Sequence, residues 1–565
     1  MQPRRIGLPF VLSAVLAIAA TLGPARPAAA GGTDRLPDLR MAPLTGFYTE
    51  NSGGQRRLRF TTIMTNEGAG PLEVRGFRNS FGEQHLQTQQ RIYDTAGGVR
   101  TVPSRALMEY ARDGHDHWHI QGVMLYQLWN DGGMTRRGTK VGFCFLDSRP
   151  WNLALPGAPQ SRVYPERVCG DQGDLQNHMG LSVGWGDEYP ANFTFQWIDI
   201  TGLPPGDYTV QARADEQNWY LESNEGNNCA WARVRIGASN GSVAILASAR
   251  TCVTPPASST RVERQYGDDR YQTAAAISED AFAAGVPIAY VATGANYPDA
   301  LAAGAAAGYR GGPVILVERD RLPALATTEL ERLNPARIVI VGGPNVISEY
   351  VAGLVARFQT GGGATRIAGS DRYGTAAAIS ASTFAGGVET AYVASGRSWA
   401  DALAAVPHAA RAGGPILLTF PDSLPERTRT ELARLQPNRI IVVGGSGAVS
   451  AAVAAQLDMY DRGGGVLRIG GADRYETAAA LSTFHHPGGA TFAYVATGLN
   501  FPDALAAGPA AAIRGAPTVL VRASAIPAAA AAELERLNPA RIYIVGGPSV
   551  IGMGVQAGLA AYADG

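Results

Sequence analysis

Asp269-Arg270-Tyr271 recurs as Asp371-Arg372-Tyr373 and again as Asp473-Arg474-Tyr475, each copy 102 residues after the last. Asp299-Ala300-Leu301 returns at the same step as Asp401-Ala402-Leu403 and Asp503-Ala504-Leu505. So does Gly342-Gly343, as Gly444-Gly445 and Gly546-Gly547. Three landmarks in one register identify three homologous modules, each long enough to be a small domain rather than a solenoid unit. In the first module the apolar runs Ala289-Tyr290-Val291-Ala292, Val314-Ile315-Leu316-Val317 and Ile338-Val339-Ile340-Val341 alternate with Ala-rich stretches of helical length. Short apolar runs between helix-length segments predict buried parallel strands in an α/β layer. The modules are placed at 261–360, 363–462 and 465–565.

Upstream of the modules, residues 253–260 hold the run Thr254-Pro255-Pro256-Ala257-Ser258-Ser259-Thr260, which reads as a linker. Residues 35–252 have another texture. Segments such as Leu58-Arg59-Phe60-Thr61-Thr62-Ile63 and Gln196-Trp197-Ile198-Asp199-Ile200 are short, strand-like and cut by turn residues, as at Pro204-Pro205-Gly206-Asp207. The expected fold is therefore multidomain: a mostly-β N-terminal domain followed by three tandem α/β modules with parallel sheets.

The chain has 565 residues, with 48 Lys+Arg against 48 Asp+Glu, so no overall basic field exists to attract nucleic acid. Its 69 glycines fall largely at repeating positions and read as turn residues rather than disorder. Residues 1–30 read as a signal peptide: Arg4-Arg5, an uncharged apolar stretch from Ile6 to Leu22, then Ala28-Ala29-Ala30 before Gly31. No later uncharged run is long enough to span a bilayer, so a secreted chain without a membrane span is expected once the signal is removed. The four cysteines, Cys144, Cys169, Cys229 and Cys252, allow three pairings, and export favours disulfides over free thiols.

The chemically informative stretch is Asp113-Gly114-His115-Asp116-His117-Trp118-His119, which holds three of the chain's eight histidines at alternate positions. On a strand, alternate residues share a face, so three imidazoles could lean toward one ion; on a helix the same spacing would splay them. Three imidazoles suit copper, zinc, nickel or iron.

This segment resembles the copper segment of the lysyl oxidase family. Lys140-Val141-Gly142-Phe143-Cys144-Phe145-Leu146-Asp147 resembles that family's lysine-containing strand, and Gly180 to Tyr189 its tyrosine-containing loop. Gln196 to Thr201, then Glu222-Ser223-Asn224 with Asn227-Asn228, follow in family order. The resemblance implies that His115, His117 and His119 bind copper(II). It implies that Lys140 and Tyr189 combine into lysine tyrosylquinone, the family's self-made cofactor. The implied activity converts primary amines, either peptidyl-lysine or small amines, to aldehydes with release of ammonia and hydrogen peroxide. Asp187 is a candidate catalytic base, and His178 reads as a loop histidine. Within the resemblance the expected disulfides are Cys144–Cys169 and Cys229–Cys252. Gly114 stands where animal members carry a cysteine, so their collagen and elastin partners are not carried over.

In the modules, Arg366, Gly369, Asp371, Arg372, Tyr373 and Thr375 form a pattern restated by Arg468, Gly471, Asp473, Arg474, Tyr475 and Thr477. With Gly413-Gly414-Pro415-Ile416 and the double glycines, it resembles the type 2 cell wall-binding repeat of Gram-positive bacteria. The implied partner is an anionic wall polymer or peptidoglycan-associated glycan, held non-covalently. The third copy departs modestly, with Gly515-Ala516-Pro517-Thr518. The Asp-Arg-Tyr element has two readings: an Asp–Arg pair closing a turn, or contact with the polymer. Val443-Gly444-Gly445-Ser446-Gly447 lacks the spacing and the acidic residue of a dinucleotide site. The reading is a secreted, wall-associated copper amine oxidase; the alternative is a catalytically inactive copper-binding surface or adhesion protein held by the same repeats.

Overall fold

The computed structural model describes residues 32–111, 116–133, 135–138, 142–256 and 261–563. The expected signal peptide, His115 and Lys140 lie outside the described residues.

The N-terminal region is built from antiparallel sheets. Its long organising strand is β1 (Gln55–Asn66), whose first half alternates between partly and fully buried residues and whose second half is almost wholly buried. That change follows from its neighbours: Trp185–Tyr189, Leu39–Met41, Trp197–Asp199 and Thr45–Ser52 all pair with it along its length. A second sheet carries β2 (Leu72–Phe77), β3 (His85–Asp94), β4 (Val99–Tyr110), β5 (Trp118–Gln121) and β6 (Gly142–Phe143), with Gln176–Leu181 on the far edge. A five-stranded third sheet runs through Met124–Trp129, Gly206–Ala214 and Cys229–Ile236. The core between them is aromatic. Phe60, Tyr126, Phe143 and Tyr189 meet edge to face in succession, at centroid distances of 5.1, 6.3 and 4.9 Å. Such pairs add about 0.5–1.5 kcal/mol each beyond their burial. Both expected disulfides are present, Cys144–Cys169 and Cys229–Cys252.

The C-terminal region has three four-stranded parallel sheets, as the apolar runs predict. The sheets do not follow the 102-residue repeat, however. Thr365–Ile367, at the head of the second module, pairs with Ile338–Val341 of the first, and Leu467–Ile469 pairs with Arg439–Val443. The head of the first module, Val262–Gln265, has no preceding module and pairs instead with Arg541–Val545 of the third. The three modules therefore close into a ring rather than a row.

Three Ala-rich helices, α1 (Pro298–Arg310), α2 (Ala400–Arg411) and α3 (Pro502–Ile513), pack against one another at the centre. Their small residues are needed there. A Cβ on Gly308 would lie 2.9 Å from Ala410 and 3.0 Å from Ala512, and one on Gly304 would lie 2.9 Å from Val406.

The first module also holds the N-terminal region, through strands β3 and β4. Arg105 pairs with Glu331 at 2.8 Å, and Glu109 with Arg321 at 2.7 Å. The buried His85 ring meets the Tyr350 hydroxyl at 3.1 Å. Among the described residues no helix is long and apolar enough to cross a membrane.

Candidate metal centre

His117 and His119 sit where β5 begins, beside the end of β4 with which it pairs. The Ala111 amide donates to the His117 carbonyl at 2.8 Å, and the Tyr110 hydroxyl donates to the Asp116 carbonyl at 2.6 Å. Trp118 anchors the start of β5 from the other face. It is buried, its indole N–H donates to the Asp171 carbonyl at 2.8 Å, and the Arg78 guanidinium lies 4.8 Å above its ring.

His119 lies on β5 and is buried, while His117 immediately precedes the strand and is half-buried. Their Nε2 atoms are 2.9 Å apart, and their ring planes stand at 80°. Two imidazole nitrogens each about 2.0–2.1 Å from one ion, and at right angles about it, are separated by about 2.9 Å. The pair therefore fits two ligands of a single metal ion. Without a metal the same distance accommodates one N–H···N hydrogen bond. The third expected ligand, His115, is outside the described residues. Among the described residues, the strand that carries His119 does not extend upstream past His117. Asp116 has a φ of 46°, in the left-handed region that Asp tolerates better than most residues, so the extended backbone is interrupted directly before His117.

Tyr189 is buried and ends the strand Trp185–Tyr189, opposite Thr62 of β1, so it is a strand residue rather than the loop residue expected. Its hydroxyl donates to the Cys144 carbonyl and accepts from the Cys144 amide, both at 3.0 Å. Phe143 and Phe193 close over the ring at 4.9 and 6.3 Å. Burial first, and the Asp187 carboxylate second, push the phenol well above its ordinary value, so it stays protonated at neutral pH.

The two halves of the site meet through β6. Gly142 and Phe143 pair with Gln121 and Ile120. Cys144, which holds the phenol, directly follows β6, and His119 lies on its partner β5.

Residues 79–245 match the family model described as lysyl oxidase; residues 264–352, 366–454 and 468–556 match the model described as cell wall binding domain 2. The chain joins a lysyl oxidase domain to three cell wall-binding repeats. It is 32% identical over 125 residues to lysyl oxidase homolog 2 of Gallus gallus, a match covering 22% of this chain and 14% of that protein. It is 30% identical over 285 residues to the N-acetylmuramoyl-L-alanine amidase LytC of Bacillus subtilis, covering 50% of this chain and 55% of the amidase. The chain thus spans about half the length of that relative, and 29% of the amidase enhancer of the same organism. Among solved structures it resembles Cwp8 from Clostridium difficile, with a TM-score of 0.50 at 16% identity over 95% of this chain and 94% of that one. Cwp6 from the same organism gives a TM-score of 0.50 at 16% identity over 94% of this chain and 68% of that one. At this identity the likeness concerns the fold alone.

Within the lysyl oxidase domain, Asp187 is buried two residues before Tyr189, on the same face of the strand, where its charge raises the phenol. Lys140 is outside the described residues, two positions before β6. His178 is exposed on the edge strand Gln176–Leu181, opposite Arg75, and is not the loop histidine the sequence pointed to.

Two contributors carry no chemical side chain and were not legible from residue type. Cys144 acts through its backbone. Gly142 is required because a Cβ there would lie 2.9 Å from the Cβ of His119 and 3.0 Å from its Nδ1. Away from the site, Asp215, Glu222 and Glu225 bring carboxylate oxygens within 4.8 Å of one another. Burial raises Asp215 to about 7 and Glu222 to about 9. Glu222 also accepts from the Leu39 amide and from Asn228, at 2.5 and 2.9 Å, and so ties the chain's first strands to this loop.

Proposed function

We propose that this protein is a secreted copper-dependent amine oxidase, held non-covalently on a Gram-positive cell wall by its three repeats. The observation that supports the oxidase reading is the buried Tyr189 phenol, bonded to both backbone groups of Cys144, the residue that directly follows the strand paired with β5. A copper-storage site needs no buried phenol held in this way.

In this reading His115, His117 and His119 hold the copper. Lys140 and Tyr189 are the precursors of the quinone. Copper and quinone together would supply the electron sink that takes a primary amine to its aldehyde, with ammonia and hydrogen peroxide as the other products. The chain's own part is positioning. The Cys144 backbone fixes the phenol oxygen, Phe143 and Phe193 keep water from the ring, and the Cys144–Cys169 disulfide steadies the segment that carries the contact. Asp187 is the proposed base: its carboxylate is the acidic group placed to exchange a proton at the Tyr189 oxygen.

The substrate is a primary amine, either peptidyl-lysine or a small amine. The test is to give copper-loaded, full-length protein a small primary amine and a lysine peptide in air. Peroxide and ammonia in equal amounts are expected; copper-loaded protein that yields neither would contradict the oxidase reading. The repeats support the wall attachment, with an anionic polymer or peptidoglycan-associated glycan as partner.

A further inference from the structure

Each central helix of the ring begins directly after an aromatic residue, Tyr297, Trp399 or Phe501, again 102 positions apart. The rings converge at one end of the ring's axis: Phe501 lies 5.5 Å from Tyr297 and 6.3 Å from Trp399, between centroids. A guanidinium from an adjoining module lies over each one. Arg372 is 5.7 Å above Tyr297, Arg474 is 5.2 Å above Trp399, and Arg270 is 5.9 Å above Phe501. All six side chains are half-buried, so each keeps a surface that solvent can reach.

The Asp-Arg-Tyr element does not form the Asp–Arg pair of the first sequence reading. Its aspartates do not pair with the adjacent arginines. Asp269, Asp371 and Asp473 accept backbone N–H groups in the first turn of the helix that each precedes. The tyrosines pack beneath Gly294, Gly396 and Gly498, where a Cβ would lie 2.5–2.6 Å from the ring. The arginines each donate from Nη1 to the carbonyl of that same glycine, at 2.6, 2.7 and 2.5 Å. Their Nε and Nη2 groups make no protein hydrogen bond among the described residues. The carboxylates Asp299, Asp401 and Asp503 are raised by burial and partly held down by the charges of Arg372, Arg474 and Arg270, which therefore neighbour both these buried acids and the aromatic faces. The guanidinium edges that carry no hydrogen bond among the described residues stand beside aromatic faces. They stand at the carboxyl ends of the parallel strands, the end at which α/β sheets take ligands.

We propose that this three-fold face is the seat of an anionic wall glycan, with sugar rings lying on Tyr297, Trp399 and Phe501 and acid oxygens on the free edges of Arg270, Arg372 and Arg474. The proposal rests on the wall-attachment reading and deepens it by naming where the polymer sits. Aromatic planes suit the C–H faces of sugars, and the guanidinium fork suits carboxylate or phosphate oxygens. Position 297 and its two equivalents hold Tyr, Trp and Phe. What they share is a flat apolar face, which a stacking role requires and a specific hydrogen bond would not.

The test uses the unaltered full-length protein with isolated Gram-positive cell walls. Hydroxyl-radical oxidation followed by mass spectrometry should show Tyr297, Trp399 and Phe501 protected several-fold on wall-bound protein. Phe81, 66% exposed on the N-terminal domain, should react as before. Combined Arg270→Gln, Arg372→Gln and Arg474→Gln should weaken co-sedimentation with walls at least ~10-fold. Protein that sediments with walls while these aromatics stay reactive overturns the seat and leaves wall attachment standing. Unaltered protein that does not sediment at all overturns both.

Discussion

His119→Ala is expected to strip the protein of copper, taking it from about one ion per chain to below one-tenth under conditions that saturate the parent. His119 is buried on β5, and its Nε2 is 2.9 Å from that of His117, so its removal deletes one ligand and the fixed partner of another. Losing only a supporting contact to a ligand typically costs 10–100-fold in metal affinity, so losing the ligand itself should cost on the order of 100-fold or more. His117→Ala should behave alike. The fold should survive, because the start of β5 is anchored from the other face by Trp118, through Asp171 and Arg78. Metal analysis beside circular dichroism checks both points. Undiminished copper in a folded His119→Ala protein would remove the basis for the metal centre.

Tyr189→Phe should leave copper in place and abolish amine oxidation, by at least ~10³-fold, or about 4 kcal/mol of transition-state stabilisation. The phenyl ring fills the same space between Phe143 and Phe193 but lacks the oxygen from which a quinone must be made. Two hydrogen bonds with Cys144 are lost with it. Stability should therefore fall by about 1–3 kcal/mol, visible as a lower Tm without loss of the folded state. Lys140→Ala should show the same separation of copper from activity, because a lysine is not among the expected ligands. Peroxide release with a primary amine, read beside metal content, makes the distinction. Either variant oxidising amines at the parent rate would exclude the quinone.

The sequence carried the parallel sheets plainly, because a strand buried on both faces is written as an uninterrupted run such as Ile338–Val341. It did not carry the ring. Val262–Gln265 looks like the opening of a first domain, and nothing local says that its partner is Arg541–Val545, nearly 280 residues away. Histidines at alternate positions pointed to a candidate metal segment on a gently curved strand, and of these His119 lies on β5 with His117 just before it. The left-handed Asp116 is invisible to a spacing argument, since Asp adopts that conformation only where the surrounding turn requires it.

Tyr189 was expected in a loop through the resemblance to the family's tyrosine-containing loop. Pairing with β1 nevertheless draws Trp185–Tyr189 into a strand, a tertiary effect outweighing local composition. The backbone of Cys144 as the phenol's holder had no sequence signal at all, because any residue supplies an amide and a carbonyl. The disulfide pairing came through family resemblance alone, since four cysteines leave three pairings open.

The central claim is that Lys140 and Tyr189 become one covalent unit beside the histidine centre. It is tested most directly by a tryptic digest of full-length protein loaded with copper in air. The account predicts a peptide joining the Lys140 segment to the Tyr189 segment, with loss of hydrogens, gain of one oxygen and reaction with phenylhydrazine, absent when copper is withheld. Lys140 and Tyr189 peptides recovered separate and unmodified from copper-loaded protein that oxidises amines would contradict it.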